Sequence, residues 1–128
     1  MYYKIDLGDQ GAYIVIVTSM KNDLPDETRN LASILPSLEG FDWDEGNRDK
    51  NLKHDVEQVE IEQVFFDARL LILPDIKHSV EESRFIAYGT TKGDRVLTIV
   101  FTLREKKIRP ISARDANRKE RLRYEEET

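Results

Sequence analysis

Arg84-Phe85-Ile86-Ala87-Tyr88-Gly89, then Thr91-Lys92-Gly93-Asp94, then Arg95-Val96-Leu97-Thr98-Ile99-Val100-Phe101-Thr102-Leu103, then Glu105-Lys106-Lys107 and Ile108-Arg109-Pro110-Ile111-Ser112: this stretch decides the fold. Its apolar runs are rich in β-branched and aromatic residues, and short polar turns separate them. Strands joined by turns this short pair as an antiparallel meander.

Working toward the N-terminus, Leu70-Leu71-Ile72-Leu73 reads as another buried strand, stopped by Pro74-Asp75. Residues 57–66 read as a helix, with Val59, Gln63 and Phe66 on one side and Ile61, Val64 and Phe65 filling in. Residues 45–54 are polar and helix-compatible, and Phe41-Asp42-Trp43-Asp44 is a short strand or extended segment. Phe41 and Trp43 suit a core better than a base-stacking platform. At the start, Tyr3, Ile5 and Leu7 alternate with polar residues, Gly8-Asp9-Gln10-Gly11 supplies a turn, and residues 12–17 form a second strand. Asn22-Asp23-Leu24-Pro25 is a helix start, and Leu31, Ile34, Leu35 and Leu38 fall at helical spacing, with Pro36 limiting or kinking the helix and Gly40 ending it. Toward the C-terminus, Ser112 reads as the cap of a final helix, with Asp115 as the acid of its capping box. The expected fold is α+β: an antiparallel β-meander with helices over residues 41–128, extended by a ββα piece at residues 1–40.

The chain has 128 residues, 39% of them hydrophobic, which suits one modest core. Absence of cysteine excludes disulfides and thiolate metal sites. No apolar run reaches the ~18 residues of a membrane span, and Met1-Tyr2-Tyr3-Lys4-Ile5-Asp6 does not read as a signal peptide. The expected location is the cytoplasm. The net charge of −5 hides an asymmetry, because residues 84–123 hold 12 Lys/Arg against 4 Asp/Glu. That local charge favours a nucleic-acid partner, although a solvated basic face balanced by acids elsewhere is equally consistent with charge alone. No GxGxxG, GxxxxGK[ST] or GxSxG motif is present, and two distant histidines make a weak zinc site. No cofactor is expected.

From Phe41 onward the chain resembles the BrnT toxin family. The likeness rests on Phe41-Asp42-Trp43-Asp44-Glu45, Asn51 through His54-Asp55-Val56, Val64-Phe65-Phe66-Asp67 and Leu70-Leu71-Ile72-Leu73-Pro74-Asp75. It continues through His78 with Glu81, Arg84-Phe85-Ile86-Ala87, Val100-Phe101-Thr102, Ile108-Arg109-Pro110-Ile111-Ser112-Ala113-Arg114, Glu120-Arg121 and Tyr124-Glu125-Glu126. The resemblance implies a RelE-like fold and the toxin half of a type II toxin–antitoxin pair, cutting RNA without a metal and thereby inhibiting translation. It also implies a partner like the BrnA antitoxin, whose ribbon-helix-helix part binds operator DNA, so that the hetero-oligomer represses its own operon. One departure concerns Lys53-His54-Asp55-Val56, where relatives usually carry Gly in place of Asp55. Glycine there would be a helix cap in the left-handed conformation.

Such a reaction needs a base for the 2′-OH, a cation for the anionic phosphorane and an acid for the departing 5′-oxygen. Arginine suits the cation, since its planar fork pairs with two phosphate oxygens. Histidine suits proton transfer near neutral pH. The catalytic candidates are His54, Arg84, Arg104 and Arg114; the substrate-binding candidates are His78, Arg109, Ser112 and Tyr124. Glu81 can serve as a base or pair with Arg84. Each has a plainer role: a surface arginine commonly pairs with a carboxylate, a histidine near a helix end or in a loop caps or is solvated, and an aromatic on a terminal helix packs on the sheet. Regular alternation puts Thr102 and Arg104 on one face and Ser112 with Arg114 on one face, with Arg109 opposite, unless Pro110 marks a bulge. A non-enzymatic module that only binds an antitoxin and assists autorepression is the alternative function.

Overall fold

The structure, a computed structural model, describes residues 2–6, 13–17, 38–67, 69–75 and 82–128. Strands β1 (Tyr2–Asp6), β2 (Tyr13–Val17), β3 (Arg69–Pro74), β4 (Phe85–Thr90), β5 (Val96–Arg104) and β6 (Lys107–Asp115) form one sheet in sequence order. Helices α1 (Glu45–Leu52) and α2 (Gln58–Phe65) precede β3, and α3 (Arg118–Glu127) follows β6. Strands β3 to β6 are antiparallel throughout, the meander that the short turns dictate. The β1–β2 hairpin adds to its edge, with β2 parallel to β3. A parallel neighbour needs a crossover of a dozen residues or more, and the chain between β2 and β3 far exceeds that. The helix read in residues 24–38 falls mostly outside the described residues.

Two clusters hold the layers together. On one face α1 and α2 cover Leu70, Ile72, Phe85, Ala87, Leu97, Ile99, Phe101, Ile108 and Ala113, joined by Val56, Ile61 and Val64. On the other, Tyr124 of α3 closes over Leu71, Leu73 and Tyr88. Helix α2 buries Ile61 and Val64 and leaves Val59 and Phe66 51% and 80% exposed. Burial of the branched pair fixes the rotation. Gly89 permits the close approach of α2, because a Cβ there would lie 2.7 Å from Val64 Cγ1.

Helix α1 buries only Asn47 and Asn51. Asn47 Nδ2 donates to the carbonyls of Asp42 and Pro110 at 3.0 and 2.9 Å, and this tethers the polar helix to β6 in place of an apolar stripe. Asp44 and Asn47 form a capping box at its start. At its end the Asp55 and Val56 amides donate to the Leu52 and Asn51 carbonyls at 3.0 and 3.2 Å, a Schellman arrangement. Asp55 has φ +56°, the left-handed conformation inferred from the glycine usual there.

The expected cap of the final helix is corrected. Ser112 and Asp115 belong to β6, whose pairing with β5 continues to Leu97↔Asp115. The helix starts later, where Asn117 caps α3 and Glu120 completes the box, with reciprocal bonds of 2.9 Å. Both sequences fit a capping box locally, and the ladder with β5 decides between them. The Phe41 segment is extended, bridging Ile108 in parallel beyond β6.

Candidate active site

Register determines which side chains share a face. On β5 the pairs Val100↔Ser112 and Phe101↔Pro110 leave Ile111 as an extra residue in a bulge. The bulge reverses the alternation between Pro110 and Ser112, so Arg109, Ser112 and Arg114 stand opposite Thr102, Val100 and Thr98. By register all six share the face turned away from α2, with Arg104 in step on β5, although the Arg109 side chain reaches round the β6 edge to the start of α1. Helix α3 covers the Tyr88 and Val96 end of this face, while Ile86, Val100, Ile111 and Ser112 remain half-buried beyond it.

At the far end of that face, Arg84 and Arg104 converge on one carboxylate. Arg84 Nη2 lies 3.5 Å from Glu82 Oε1, and Arg104 Nη2 lies 3.7 Å from Glu82 Oε2. The supporting backbone is fixed: Thr102 Oγ1 donates to the Ser83 carbonyl at 2.7 Å, and the Asp75 amide donates to the Arg84 carbonyl at 2.9 Å. Thr102 itself is buried.

The other two arginines meet nearer carboxylates. Arg109 Nη2 donates to Asp44 Oδ2 at 2.7 Å, with Asp42 3.5 Å from Nη1. The Asn47 amide and then Arg109 hold the Asp44 carboxyl below the usual aspartate range, and the Asp44 bond in turn raises the Arg109 pKa. Arg114 grips Glu120 through Nη1–Oε1 at 2.7 Å and Nη2–Oε2 at 3.0 Å, a bond that raises the Arg114 pKa. Burial pushes the Glu120 carboxyl up, but Arg114 and the Asn117 amide outweigh it, and the net shift is downward. Every candidate arginine thus faces a carboxylate, the plainer role weighed for each. Much of the positive charge of residues 84–123 is offset within the fold.

The remaining candidates separate. His54 is exposed at the end of α1, and the neighbouring Asp55 carbonyl accepts from Arg95 Nη1 at 2.7 Å. Arg95 precedes β5 whereas Arg104 ends it. Nine strand residues span about 30 Å, so His54 and the Arg84–Arg104 pair occupy opposite ends of the sheet. Tyr124 is 3% exposed, its hydroxyl donating to Asp67 Oδ2 at 2.5 Å while Thr90 Oγ1 donates to it at 3.3 Å. Burial and then the Asp67 carboxylate push its phenol up to about 12. In this conformation the ring is packed on the sheet and offers no stacking surface. His78 and Glu81 lie outside the described residues.

Sequence reasoning missed Glu82 and Glu120. Glu82 had a signal, because residues two apart in extended chain share a face and Arg84 follows it by two. Glu120 had one as the third residue after Asn117. Among the described residues no group of three or more His, Asp or Glu could hold a metal ion, and no helix is long and apolar enough to cross a membrane. A cleft of about 660 Å³ at Val59, Gln63, Phe66, Asp67 and Thr90 lies at the other end of β4 from Arg84. The two arginines therefore do not line that cleft.

A pair of guanidiniums at one end of a sheet face, backed by a carboxylate, is suited to holding a phosphodiester. Comparison with curated proteins finds no match. The family model described as the ribonuclease toxin BrnT of type II toxin–antitoxin systems matches residues 43–120. The match takes in α1, α2 and the whole β3–β6 meander, leaving the β1–β2 hairpin outside it. The chain belongs to the BrnT family of ribonuclease toxins from type II toxin–antitoxin systems.

Proposed function

We propose that this chain is a metal-independent RNA endonuclease that binds the scissile phosphate on the sheet face opposite α1 and α2. Arg84 and Arg104 are the phosphate ligands in this reading, and their convergence on Glu82 is the observation that carries it. Arg104 lies 3.7 Å from Glu82 and its side chain is 52% exposed, so a phosphate can replace the carboxylate at that guanidinium. Ser112, Arg109 and Arg114 flank the face and guide the RNA strand. His54 takes no proton-transfer role in this reading, which centres the chemistry at the Arg104 end of β5, whereas His54 adjoins Arg95 at the other. His78 stays a candidate substrate contact.

In this reading a BrnA-like ribbon-helix-helix antitoxin covers the same face, matching its cations with acidic or aromatic side chains, and the complex represses its operon through operator DNA. The toxin acts in the cytoplasm, where its RNA targets are translated. Residues 41–128 form the toxin unit, and residues 1–40 are an extension whose hairpin lengthens the sheet.

Incubating purified chain with RNA in the presence of a chelator, beside Arg84→Ala and Arg104→Ala, tests the reading. Cleavage by wild type that falls at least 100-fold in either variant is expected. Intact RNA, together with unimpaired growth when the chain is expressed alone, overturns it. The rival, an inactive antitoxin-binding module, draws on the tight pairing of Arg109 and Arg114; it predicts antitoxin binding with no cleavage by wild type.

A further inference from the structure

We propose that Glu82 is the general base of the cleavage reaction. The inference rests on the proposed function: it assumes that the phosphodiester lies between Arg84 and Arg104. A phosphate bridging those two guanidiniums sits against Glu82, since each of its carboxylate oxygens is turned toward a different one of them. The ribose 2′-OH adjacent to that phosphate then lies within reach of the displaced carboxylate.

Three other carboxylates that border the sheet are committed elsewhere. Glu120 is held by the Arg114 fork and the Asn117 amide. Asp44 caps α1 and binds Arg109. Asp67 accepts from the Tyr124 hydroxyl and the Thr90 amide. The Glu82 side chain is 36% exposed, and among the described residues it meets Arg84 and Arg104 at 3.5 and 3.7 Å. Its freedom is local, because the neighbouring Ser83 and Arg84 carbonyls are bonded to Thr102 and Asp75. A base needs this combination of a pinned backbone and a side chain whose ion pairs are long enough to exchange.

The step balances without a cofactor. Glu82 takes the 2′-OH proton, the 2′-oxygen bonds to phosphorus, and the bond from phosphorus to the 5′-oxygen breaks. The 5′-oxygen leaves with a proton from water. The products are a 2′,3′-cyclic phosphate and a free 5′-hydroxyl. Arg84 and Arg104 carry the charge that builds on the non-bridging oxygens.

The test compares full-length wild type, Glu82→Gln and Glu82→Asp on one RNA that wild type cuts. It follows the pH profile of kcat, binding of the same RNA with a 2′-deoxy sugar at the cut, and thermal unfolding. A 100- to 10,000-fold loss of kcat in Glu82→Gln is expected, with loss of the acid limb of the profile. Deoxy-RNA binding unchanged or tighter is expected, since a negative charge beside the phosphate is gone. Glu82→Asp recovers part of the rate. If wild type cuts and Glu82→Gln cuts equally fast, or loses rate only through weaker binding or an unfolded chain while Glu82→Asp stays fully active, Glu82 is not the base and the arginine site stands. An inactive wild type overturns the parent reading, and this one with it.

Discussion

Arg114 and Glu120 meet fork to fork, Nη1 to Oε1 at 2.7 Å and Nη2 to Oε2 at 3.0 Å, and this pair ties the first turn of α3 to β6. The arginine side chain is 48% exposed and the glutamate 15%. Screening therefore limits the pair, but Glu120 also completes the helix cap. Glu120→Gln is expected to lower stability by about 1 kcal/mol in urea unfolding. The Glu120 pKa is depressed on folding from the usual 4.5, and that of Asp115 from 3.8, the latter chiefly by its Arg95 bond. Groups depressed on folding add stability above their unfolded pKa, and it is lost as pH falls through the folded values. Wild type should lose stability below about pH 4.5, and Glu120→Gln should show a shallower acid slope. An unchanged slope would contradict the pairing.

Tyr124 anchors the same helix from below. Its hydroxyl joins Asp67, whose Oδ2 also accepts the Thr90 amide at 2.8 Å. Tyr124→Phe removes one bond to a charged acceptor but keeps the ring, and should cost about 1.5–3 kcal/mol. Tyr124→Ala also opens a cavity against Leu71 and Tyr88, and should cost about 3–5 kcal/mol. Equal losses in the two variants would mean that the ring packing counts for nothing.

Gly89 is required by sterics. An added methyl would meet Val64 Cγ1 at 2.7 Å and the Val64 carbonyl oxygen at 3.2 Å. Gly89→Ala should therefore destabilise by about 1–3 kcal/mol as α2 is pushed off β4. A pair with Val64→Ala provides the check: the double mutant should be less destabilised than the sum of the single mutants, and simple additivity would dismiss the clash.

Asp55 occupies a left-handed position with φ +56°. Replacing it with glycine relieves the Cβ penalty while keeping both capping bonds. Asp55→Gly should raise stability by about 0.5–1 kcal/mol, and Asp55→Val should lower it by more than about 1 kcal/mol. Denaturant midpoints measured together decide it, and a loss in the glycine variant would contradict the cap.

What the sequence determined by itself was everything that depends on near neighbours. The three apolar runs of residues 84–112 and their short turns required antiparallel pairing, since no other partner lies within reach of a turn that short. The Leu70 run bounded by Pro74 and the two short helices were legible for the same reason, while the glycine-like role of Asp55 came from the family resemblance. Tertiary structure decided three things that depend on partners distant in sequence. It selected Asn117 over Ser112 as the helix cap, because the β5 ladder holds Ser112 in a strand. It turned Arg109 onto the face of Arg114 through one bulged residue, Ile111, which no alternation rule reveals. It also brought Glu82 between Arg84 and Arg104 and set His54 at the opposite end of the sheet. Local pattern fixes which residues form a strand; register across strands fixes which charges meet, and register is settled only when the whole sheet packs.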